Sequence, residues 1–447
     1  MGGGCQVSRG GRLALPWFGV GPDERAGRLF AGGGSIPALS TVETRRGCVR
    51  LTRAGPESII VAPHRPIEAL DGAFSRHAAL DEAEATFVSL QHRKIGRVTA
   101  LKERQAGATT LEVELNGQRA NAVNYDPLTG SVEIGDSVLL NTTAVELGLG
   151  TGGVHFVAHN LTRMPELPQS GGHIMKLRYT AHQFNVLAAE EEESPYHSAV
   201  RRFEGLKGMP VMLGTLHSMI APAAVAFKHE AGRPRRLVYL MTDSAALPLG
   251  LSRLVRTLRD AGFLDATITV GQAFGGEYEC VNLHSGLATA RQVCRADAVI
   301  VAPGPGHVGT GTKYGFSGIE QAYCIDAVDC LGGVPLPILR VSYADHRHRH
   351  RGVSHHSQTI LGELTKTRTT IALPRLEDTV YRLLMRQLKE CGILARHDVW
   401  EVEADAALRR MTEARVHVTS MGRSLEEDPE FFLTCAAAGV YAAERLP

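Results

Sequence analysis

From about residue 209 onward, continuous apolar runs alternate with segments of helical pattern. Continuous apolar runs closed by small polar residues are typical of parallel strands that are buried on both faces. We therefore predict an α/β core with a mainly parallel sheet and flanking helices over residues 166–375, and a C-terminal α/β extension of that core over residues 376–447. The predicted strands are VMLGTL (211–216), LVYLMT (237–242), TITVGQ (267–272), AVIVAP (298–303), PILRVSY (337–343) and VHVTS (416–420).

A different pattern precedes this core. Between Ile95 and Asn141 the apolar residues alternate with polar ones, and turn signals such as Asn116-Gly117 separate the runs. Alternation with period 2 and tight turns indicate antiparallel strands. We predict a small antiparallel β-barrel-like domain over residues 88–165. The glycine-rich segment 146–156 is either a hinge or a loop that lets backbone approach a ligand.

Residues 1–87 follow neither pattern. They contain ten arginines and no lysine, and they show no sustained period of 2 or 3.6 residues. We expect this segment to be disordered, or to be a misannotated leader translated from an incorrect start with the true start near Val88 or Leu90. N-terminal mass determination on the native protein tests the second idea.

Composition limits the class of function. The chain of 447 residues is 44% apolar and 21% charged, with a net charge of +1, which argues against a nucleic-acid partner. The sequence has no long apolar run for a membrane span and no signal peptide, and its eight cysteines are widely scattered. We expect a cytoplasmic protein with a small-molecule ligand and no membrane partner, and homo-oligomer formation stays open.

Reactive side chains follow the predicted strands. His217 and Ser218 come after the first strand, and Asp243 and Ser244 come after the second. In an open parallel sheet, ligands bind beyond the carboxyl ends of the strands. We therefore expect these four residues near a ligand site, with core packing as the alternative role for His217.

The motif LHSxxAxA occurs twice, at residues 216–224 and 283–291. Two similar turns could face one pocket, which would bring His284 to the same site. Helix capping is the alternative role for Ser218 and Ser285.

A glycine motif follows the strand 298–303. Gly304, Gly306 and Gly309 form GxGxxG, a pattern whose freed backbone amides can face an anion. No acidic residue closes a strand about twenty positions later, so phosphate or carboxylate binding is favoured over a dinucleotide. A tight turn is the third interpretation. Further residues that could hold an anion are Gly311, Lys313, Arg351 and Arg423.

Histidines are concentrated in residues 345–356. Ser354 is placed to cap a helix that begins near His355, and the helix dipole would keep the first imidazoles neutral. Neutral imidazoles can ligate a metal or accept a proton. We expect zinc or manganese as cofactor, and a solvated basic loop is the alternative for His346 and His348. The expected metal ligands are Asp345, His350, His355 and His356.

Several long motifs resemble an uncharacterised bacterial family catalogued as domain of unknown function 3866. The resemblance runs from about residue 90 to the C-terminus and implies no activity. The motifs are NTTAVELGLGTGGVHF (141–156), MTDSAALPL (241–249), GQAFGGEYECVNLHSGL (271–287), GPGHVGTGTKYGFSGIEQ (304–321) and RHRGVSHHS (349–357). The resemblance implies a shared pattern at Asp243, His284, Gly304, Gly306, Gly309, Gly311, Lys313, His350, Arg351, Gly352, Ser354, His355 and His356.

These observations together predict a cytoplasmic enzyme that acts on a small anionic molecule by metal-assisted hydrolysis or group transfer. Its site would lie at the carboxyl edge of the sheet. The alternatives are a non-catalytic ligand-binding or sensor protein, and a nucleotide-dependent enzyme that uses the GPGHVG loop. The expected catalytic residues are Asp243, His284, His355 and His356.

Overall fold

The computed structural model divides the chain into two compact units, Met1–Phe87 and Val88–Pro447. The residues that it describes are 39–45, 48–53, 58–60, 90–105, 107–150, 152–164, 171–232 and 234–446. In the first unit an antiparallel sheet consists of β1 (Leu39–Arg45), β2 (Cys48–Arg53) and β3 (Ser58–Ile60). The rest of residues 1–87, to which the prediction of a disordered or misannotated leader mainly refers, lies outside the described residues.

A closed five-stranded barrel begins the second unit. Asn116 and Gly117 both have positive φ, as a two-residue hairpin turn requires. The prediction of a small barrel is confirmed, although one neighbouring pair, β6 with β8, is parallel. The elements are β4 (Arg93–Gln105), β5 (Ala108–Leu115), β6 (Gln118–Asn124), α1 (Asp126–Thr129), β7 (Ser137–Asn141), α2 (Thr143–Glu146) and β8 (His155–Asn160).

The α/β core contains a parallel sheet of six strands in the order β14-β13-β12-β15-β11-β16. Every neighbouring pair is parallel, which confirms the predicted sheet. A short hairpin, β9 (Ile174–Lys176) with β10 (Phe184–Val186), precedes it. The six strands are β11 (Pro210–Leu213), β12 (Leu237–Thr242), β13 (Ala266–Val270), β14 (Tyr278–Cys280), β15 (Ala298–Pro303) and β16 (Val334–Pro337).

Helices cover both faces of the sheet, because alternate strand residues point to opposite faces. Tyr239 and Met241 of β12 pack in one core, whereas Val238 and Leu240 pack in the other. α4 and α5 contribute to the first core, and α6 and α7 to the second. The helices are α3 (His197–Arg201), α4 (Ile220–Ala231), α5 (Arg253–Asp260), α6 (Leu283–Gln292) and α7 (Gln321–Cys330).

The connections define a topological switch point between β12 and β15. The chain leaves β12 through α5 toward β13, and it leaves β15 through α7 toward β16 on the other side. These two helices lie on opposite faces of the sheet, so a crevice opens between the carboxyl ends of the two strands. Ligand sites of open parallel sheets usually lie in such a crevice, so the loops that follow residues 242 and 303 form the candidate site.

The C-terminal elements cover the core. β19 and β20 form a separate two-stranded parallel sheet, and α12 packs along α4. α8 passes directly into a π-helical turn, Ile360–Leu364. The elements are β17 (Val341–Ser342), β18 (Gly352–Val353), α8 (His355–Thr359), β19 (Thr370–Pro374), α9 (Asp378–Glu390), α10 (Ile393–Arg396), β20 (Asp398–Val402), α11 (Asp405–Glu413) and α12 (Pro429–Glu444).

Two predicted strands differ from the structure. The run 337–343 is divided between the end of β16 and the two-residue β17, and residues 416–420 form no strand. Arg415 has a φ of 54°, which turns the chain out of extended geometry immediately before that second run. Within the described ranges, no helix combines the length and the apolar character needed to cross a bilayer.

Candidate functional site

The switch point contains a buried carboxyl group. Oε1 of Glu320 accepts hydrogen bonds from Thr242 Oγ1 at 2.5 Å and from Ser244 Oγ at 2.7 Å. Burial raises the pKa of Glu320, and the nearby Asp243 carboxylate raises it further, while the two hydroxyl groups lower it. Glu320 therefore keeps its proton to a higher pH than an exposed glutamate does.

Asp243 and His284, two of the four expected catalytic residues, follow different strands of the sheet, β12 and β14, with β13 between them. Asp243 lies at the switch point, where its Oδ2 accepts from the Gln272 amide at 2.9 Å and so supports the loop after β13. His284 is exposed at the start of α6, after the outermost strand β14. Since three strands separate β14 from β11, the two LHSxxAxA turns lie roughly 19 Å apart and cannot face one pocket.

His217 links three elements. Its Nδ1 faces the Pro303 carbonyl at 3.1 Å, so this nitrogen donates, and Nε2 then accepts from Ser252 Oγ at 2.6 Å. Burial lowers the pKa of His217 to about 4. This neutral ring joins the ends of β11 and β15 to the start of α5.

The two serines of the repeated motif have different roles. Ser285 forms a reciprocal capping box with Asn282 at the start of α6, as the capping alternative predicts. Ser218 makes no capping hydrogen bond and instead donates to Ser420 Oγ at 3.2 Å. Ser218 thus links the end of β11 to the segment before α12.

The glycines after β15 allow this loop to pack closely against the loop that follows β12. A Cβ on Gly304 would lie 2.3 Å from the Ala246 carbonyl oxygen, and the Ala246 amide donates to the Pro305 carbonyl at 2.9 Å. Gly306 has a φ of 101°, a backbone conformation that favours glycine. The next α-helix begins only at Gln321, so no α-helix starts at the third glycine as a dinucleotide loop requires.

Four histidines gather beyond the ends of β15 and β16, and we call them the imidazole cluster: His307, His350, His355 and His356. The His356 ring lies 5.0 Å from His307, 5.0 Å from His350 and 4.3 Å from His355, measured between centroids, and it stacks on Phe316 at 3.9 Å. Three of the four, His350, His355 and His356, offer nitrogen atoms within 4.8 Å of one another.

Ser354 positions two of these rings. Its Oγ accepts from the His356 amide and so caps α8, which confirms the predicted cap. The same Oγ lies 2.8 Å from Nδ1 of His350. Residues His348–His350 form a 3-10 turn, in which His350 is buried and His348 is exposed, and His346 before the turn is exposed as well.

The clustered rings are neutral near pH 7. Burial, and next the charge of Arg340, lower the pKa of His307 to about 4, of His350 to about 3 and of His356 to about 2. The pKa of His355 is also lowered, mainly by burial and then by Arg349. Neutral imidazoles have a free lone pair for a metal or a proton.

Arg340 is the buried charge beside the cluster, with 4% of its surface exposed. Its Nη1 donates to Nδ1 of His356 at 3.3 Å, and burial lowers the pKa of the guanidinium to about 10. Because arginine can only donate, the neutral His356 ring carries its proton on Nε2. Sequence reasoning missed Arg340, although a single charge inside the apolar run PILRVSY was the available signal.

Asp345 lies outside the group of three histidines. Arg347 binds its carboxylate in a bidentate manner, at 3.0 and 2.7 Å, and Arg423 approaches Oδ2 at 3.3 Å. The hydrogen bond from Arg347 is the main cause that holds the pKa of Asp345 well below its usual range. Arg423 also binds Asp428 at 2.9 Å, so this arginine is already occupied by carboxylates. Asp345, an expected metal ligand, and Arg423, an expected anion ligand, therefore bind each other.

The remaining predicted anion ligands lie at the surface. Lys313 forms an exposed ion pair with Glu363 at 2.6 Å. Gly311 and Arg351 are exposed as well.

One nitrogen of the imidazole cluster stands out: Nε2 of His355 is buried and has no hydrogen-bond partner among the described residues. The His307 ring, in contrast, contacts Ser317 Oγ through Nδ1 at 3.3 Å and forms a hydrogen bond with the Thr215 backbone. Buried polar atoms in proteins are nearly always paired with protein, water or a ligand. The unpaired nitrogen of His355 is therefore free to receive a hydrogen bond or to ligate a metal.

Residues 121–439 match the family model described as Protein of unknown function (DUF3866). The chain belongs to this family. The DUF3866 match covers the six-stranded sheet and the whole imidazole cluster. Neither a curated protein nor a solved structure matches the chain. Because the family description states no activity, the function of this DUF3866 protein has to be argued from the geometry of its side chains.

Proposed function

We propose that this protein is an enzyme that acts on a small anionic molecule by metal-assisted hydrolysis or group transfer at the carboxyl edge of the sheet. The observation that supports this most is the imidazole cluster, in which three neutral histidines offer nitrogen atoms within 4.8 Å of one another. His350 contacts Ser354 and His356 contacts Arg340, whereas the buried Nε2 of His355 has no partner among the described residues. A bound metal or a substrate proton would supply that partner.

The donor set favours zinc, with manganese as the second choice. Imidazole nitrogen suits zinc, whereas manganese prefers carboxylate and water oxygen. His355 has an unpaired Nε2, and the contact of His350 Nδ1 with Ser354 leaves the other nitrogen of His350 for a metal. A bound zinc ion would act as a Lewis acid on an anionic oxygen.

Arg340 would hold the anion. Its buried charge attracts a phosphate or carboxylate, and the Nε2 proton of His356 offers a second donor. The hydrogen bond between Arg340 and His356 also limits metal binding, because Nδ1 of His356 can bind a metal only if this hydrogen bond breaks. His350 and His355 therefore carry the metal proposal more strongly than His356.

A second candidate function follows from the Arg340–His356 bond. In a non-catalytic ligand-binding or sensor protein, the guanidinium and the imidazoles would hold the anion directly, without a metal. The positive charge next to the cluster favours this arrangement, since it repels a divalent cation.

Metal analysis of the purified protein tests the proposal. We expect about one zinc or manganese ion per chain in the wild type, loss of the metal in His355→Ala, and retention in His348→Ala, a matched exposed histidine in the same segment. A wild-type protein that binds neither metal, even after incubation with both, contradicts the metal step. Turnover of phosphoesters, acyl esters or amides then separates an enzyme from a binding protein.

A further inference from the structure

A cavity of about 420 Å³ opens beside the imidazole cluster. It lies beyond the ends of β11 and β15, and the segment before α12 closes its other side. This volume lies in the range of small-molecule sites. The polar part of its wall includes Ser218, Arg253, His307, His417 and Ser420.

The wall of this cavity carries hydrogen-bond donors and no carboxylate among the described residues that line it. Arg253 supplies a guanidinium group that already pairs with Glu103 of the barrel at 2.5 Å, so an anion in the cavity would share this charge with Glu103. Ser218 donates to Ser420 Oγ at 3.2 Å, which leaves the proton of Ser420 available for a ligand. Leu216 and Leu254 add an apolar portion. Such a wall suits an anionic group attached to a compact, partly apolar molecule.

His307 connects this cavity to the imidazole cluster. The residue lines the cavity, and its ring lies 5.0 Å from the ring of His356. Its Nδ1 lies 3.3 Å from Ser317 Oγ, and the Thr215 backbone also hydrogen-bonds the ring. A ligand in the cavity would therefore meet the cluster at His307.

We infer that this cavity binds the part of the substrate remote from Arg340, that this part carries a phosphate or carboxylate group of its own, and that Arg253 and Ser420 hold this group while His307 faces the reacting end. The inference rests on the proposed function, since it assigns the place and chemical class of the anionic molecule.

The chain offers a matched control for Arg253. The barrel residue Glu103 forms ion pairs with Arg253 at 2.5 Å and with Arg256 at 2.7 Å. Arg253 lines the cavity, whereas Arg256 lines a separate one. Replacement of either arginine removes one bond to Glu103, but only replacement of Arg253 changes the proposed site.

Isothermal titration calorimetry on the full chain, freed of metal by a chelating resin, tests the inference with inorganic phosphate and with acetate as separate ligands. We expect one of these anions to bind the wild type, about tenfold weaker binding in Arg253→Met, and a change of less than about twofold in Arg256→Met. The anion that binds identifies the group. Equal weakening in both variants, or no binding of either anion, overturns the inference.

Ser420→Ala keeps the test decisive if Arg253→Met does not fold. It removes one hydroxyl group from the wall and leaves the contact between Arg253 and Glu103 in place, and we expect weaker anion binding here too. Unchanged binding in this folded variant also overturns the inference. The titration uses metal-free protein, so its outcome does not depend on whether the protein binds a metal. Conversely, a failure of anion binding would not change the result of the metal analysis.

Discussion

Arg340 and His356 form a buried pair in which Nη1 of the arginine donates to Nδ1 of the histidine across 3.3 Å. Both residues are at most 4% exposed. The bond places a positive charge where the three histidines could hold a cation, so it opposes metal binding while it favours an anion. Removal of the Arg340 charge should therefore favour binding if the cluster holds a metal, and should weaken binding if the cluster holds an anion directly.

Arg340→Met should strengthen zinc binding by about tenfold or more, because the substitution removes a like charge and frees Nδ1 of His356. Asp345 keeps its bonds to Arg347 and Arg423 in this variant. Competition with a chromophoric chelator measures the affinity, and Arg409→Met, an exposed arginine on α11, is the control. Weaker zinc binding in Arg340→Met would contradict the metal centre.

Acid should destabilise the protein through His350 and His356. Their folded pKa values, about 3 and about 2, lie below the ordinary 6.5, so the stability they contribute is complete above about pH 6.5. As the pH falls below that value, the unfolded chain binds protons that the folded chain does not. Each ring should lower the free energy of unfolding by about 1.4 kcal/mol per pH unit.

Urea unfolding between about pH 7 and pH 5 measures this slope. We expect His356→Gln to reduce the slope, and His348→Gln, which alters an exposed ring, to leave it unchanged. An identical slope in the wild type and in His356→Gln would show that His356 is not a neutral buried ring.

Gly304→Ala should cost about 1–3 kcal/mol of the free energy of unfolding, because the new Cβ would overlap the Ala246 carbonyl oxygen. Gly309→Ala is the matched control in the same loop, since its Cβ would meet nothing closer than 3.6 Å and should change stability by less than about 0.5 kcal/mol. Thermal unfolding of both variants checks this difference. Equal effects would mean that the two loops do not pack as described.

Lys176→Met should destabilise the protein by about 3–5 kcal/mol. The Lys176 ammonium is completely buried and donates to the carbonyls of Gly271 and Ala273 at 2.9 Å each, and it pairs with Glu279 at 3.2 Å. Without it, these acceptors lose their buried partner.

Chemical denaturation measures the loss, and addition of Glu279→Gln should recover part of it by removing the uncompensated carboxylate. Lys207→Met is the control, because Lys207 and Glu204 form an exposed pair whose contribution is small. A similar loss in both lysine variants would argue against a special role for the buried ammonium.

The sequence predicts the local parts of this molecule well. The strands Leu237–Thr242 and Ala298–Pro303 begin and end at the predicted residues, since each is a continuous run with clear end signals. The cap at Ser354 is also local, because it depends on a hydroxyl group and an amide two residues later. Such features need no knowledge of the strand order.

The candidate site is harder to predict because it depends on that order. His284 and His217 share a motif, yet β14 and β11 are far apart in the sheet. Conversely, Arg340 lies sixteen residues before His356 and contacts it only because the short strand β17 pairs with β18 and returns the chain. Strand order and chain reversal are long-range features that apolar patterning does not encode.

The orientation of His355 and His356 relative to the following segment depends on the π-helical turn Ile360–Leu364. Such a turn contains one residue more than an α-helical turn needs, and loss of that residue would restore regular helix and rotate His355 and His356 by about 100° relative to the next segment. Exchange of one side chain for another preserves this angle, whereas an insertion or deletion does not. Relatives that differ by a single gap in this turn should therefore differ in chemistry even where every histidine is kept.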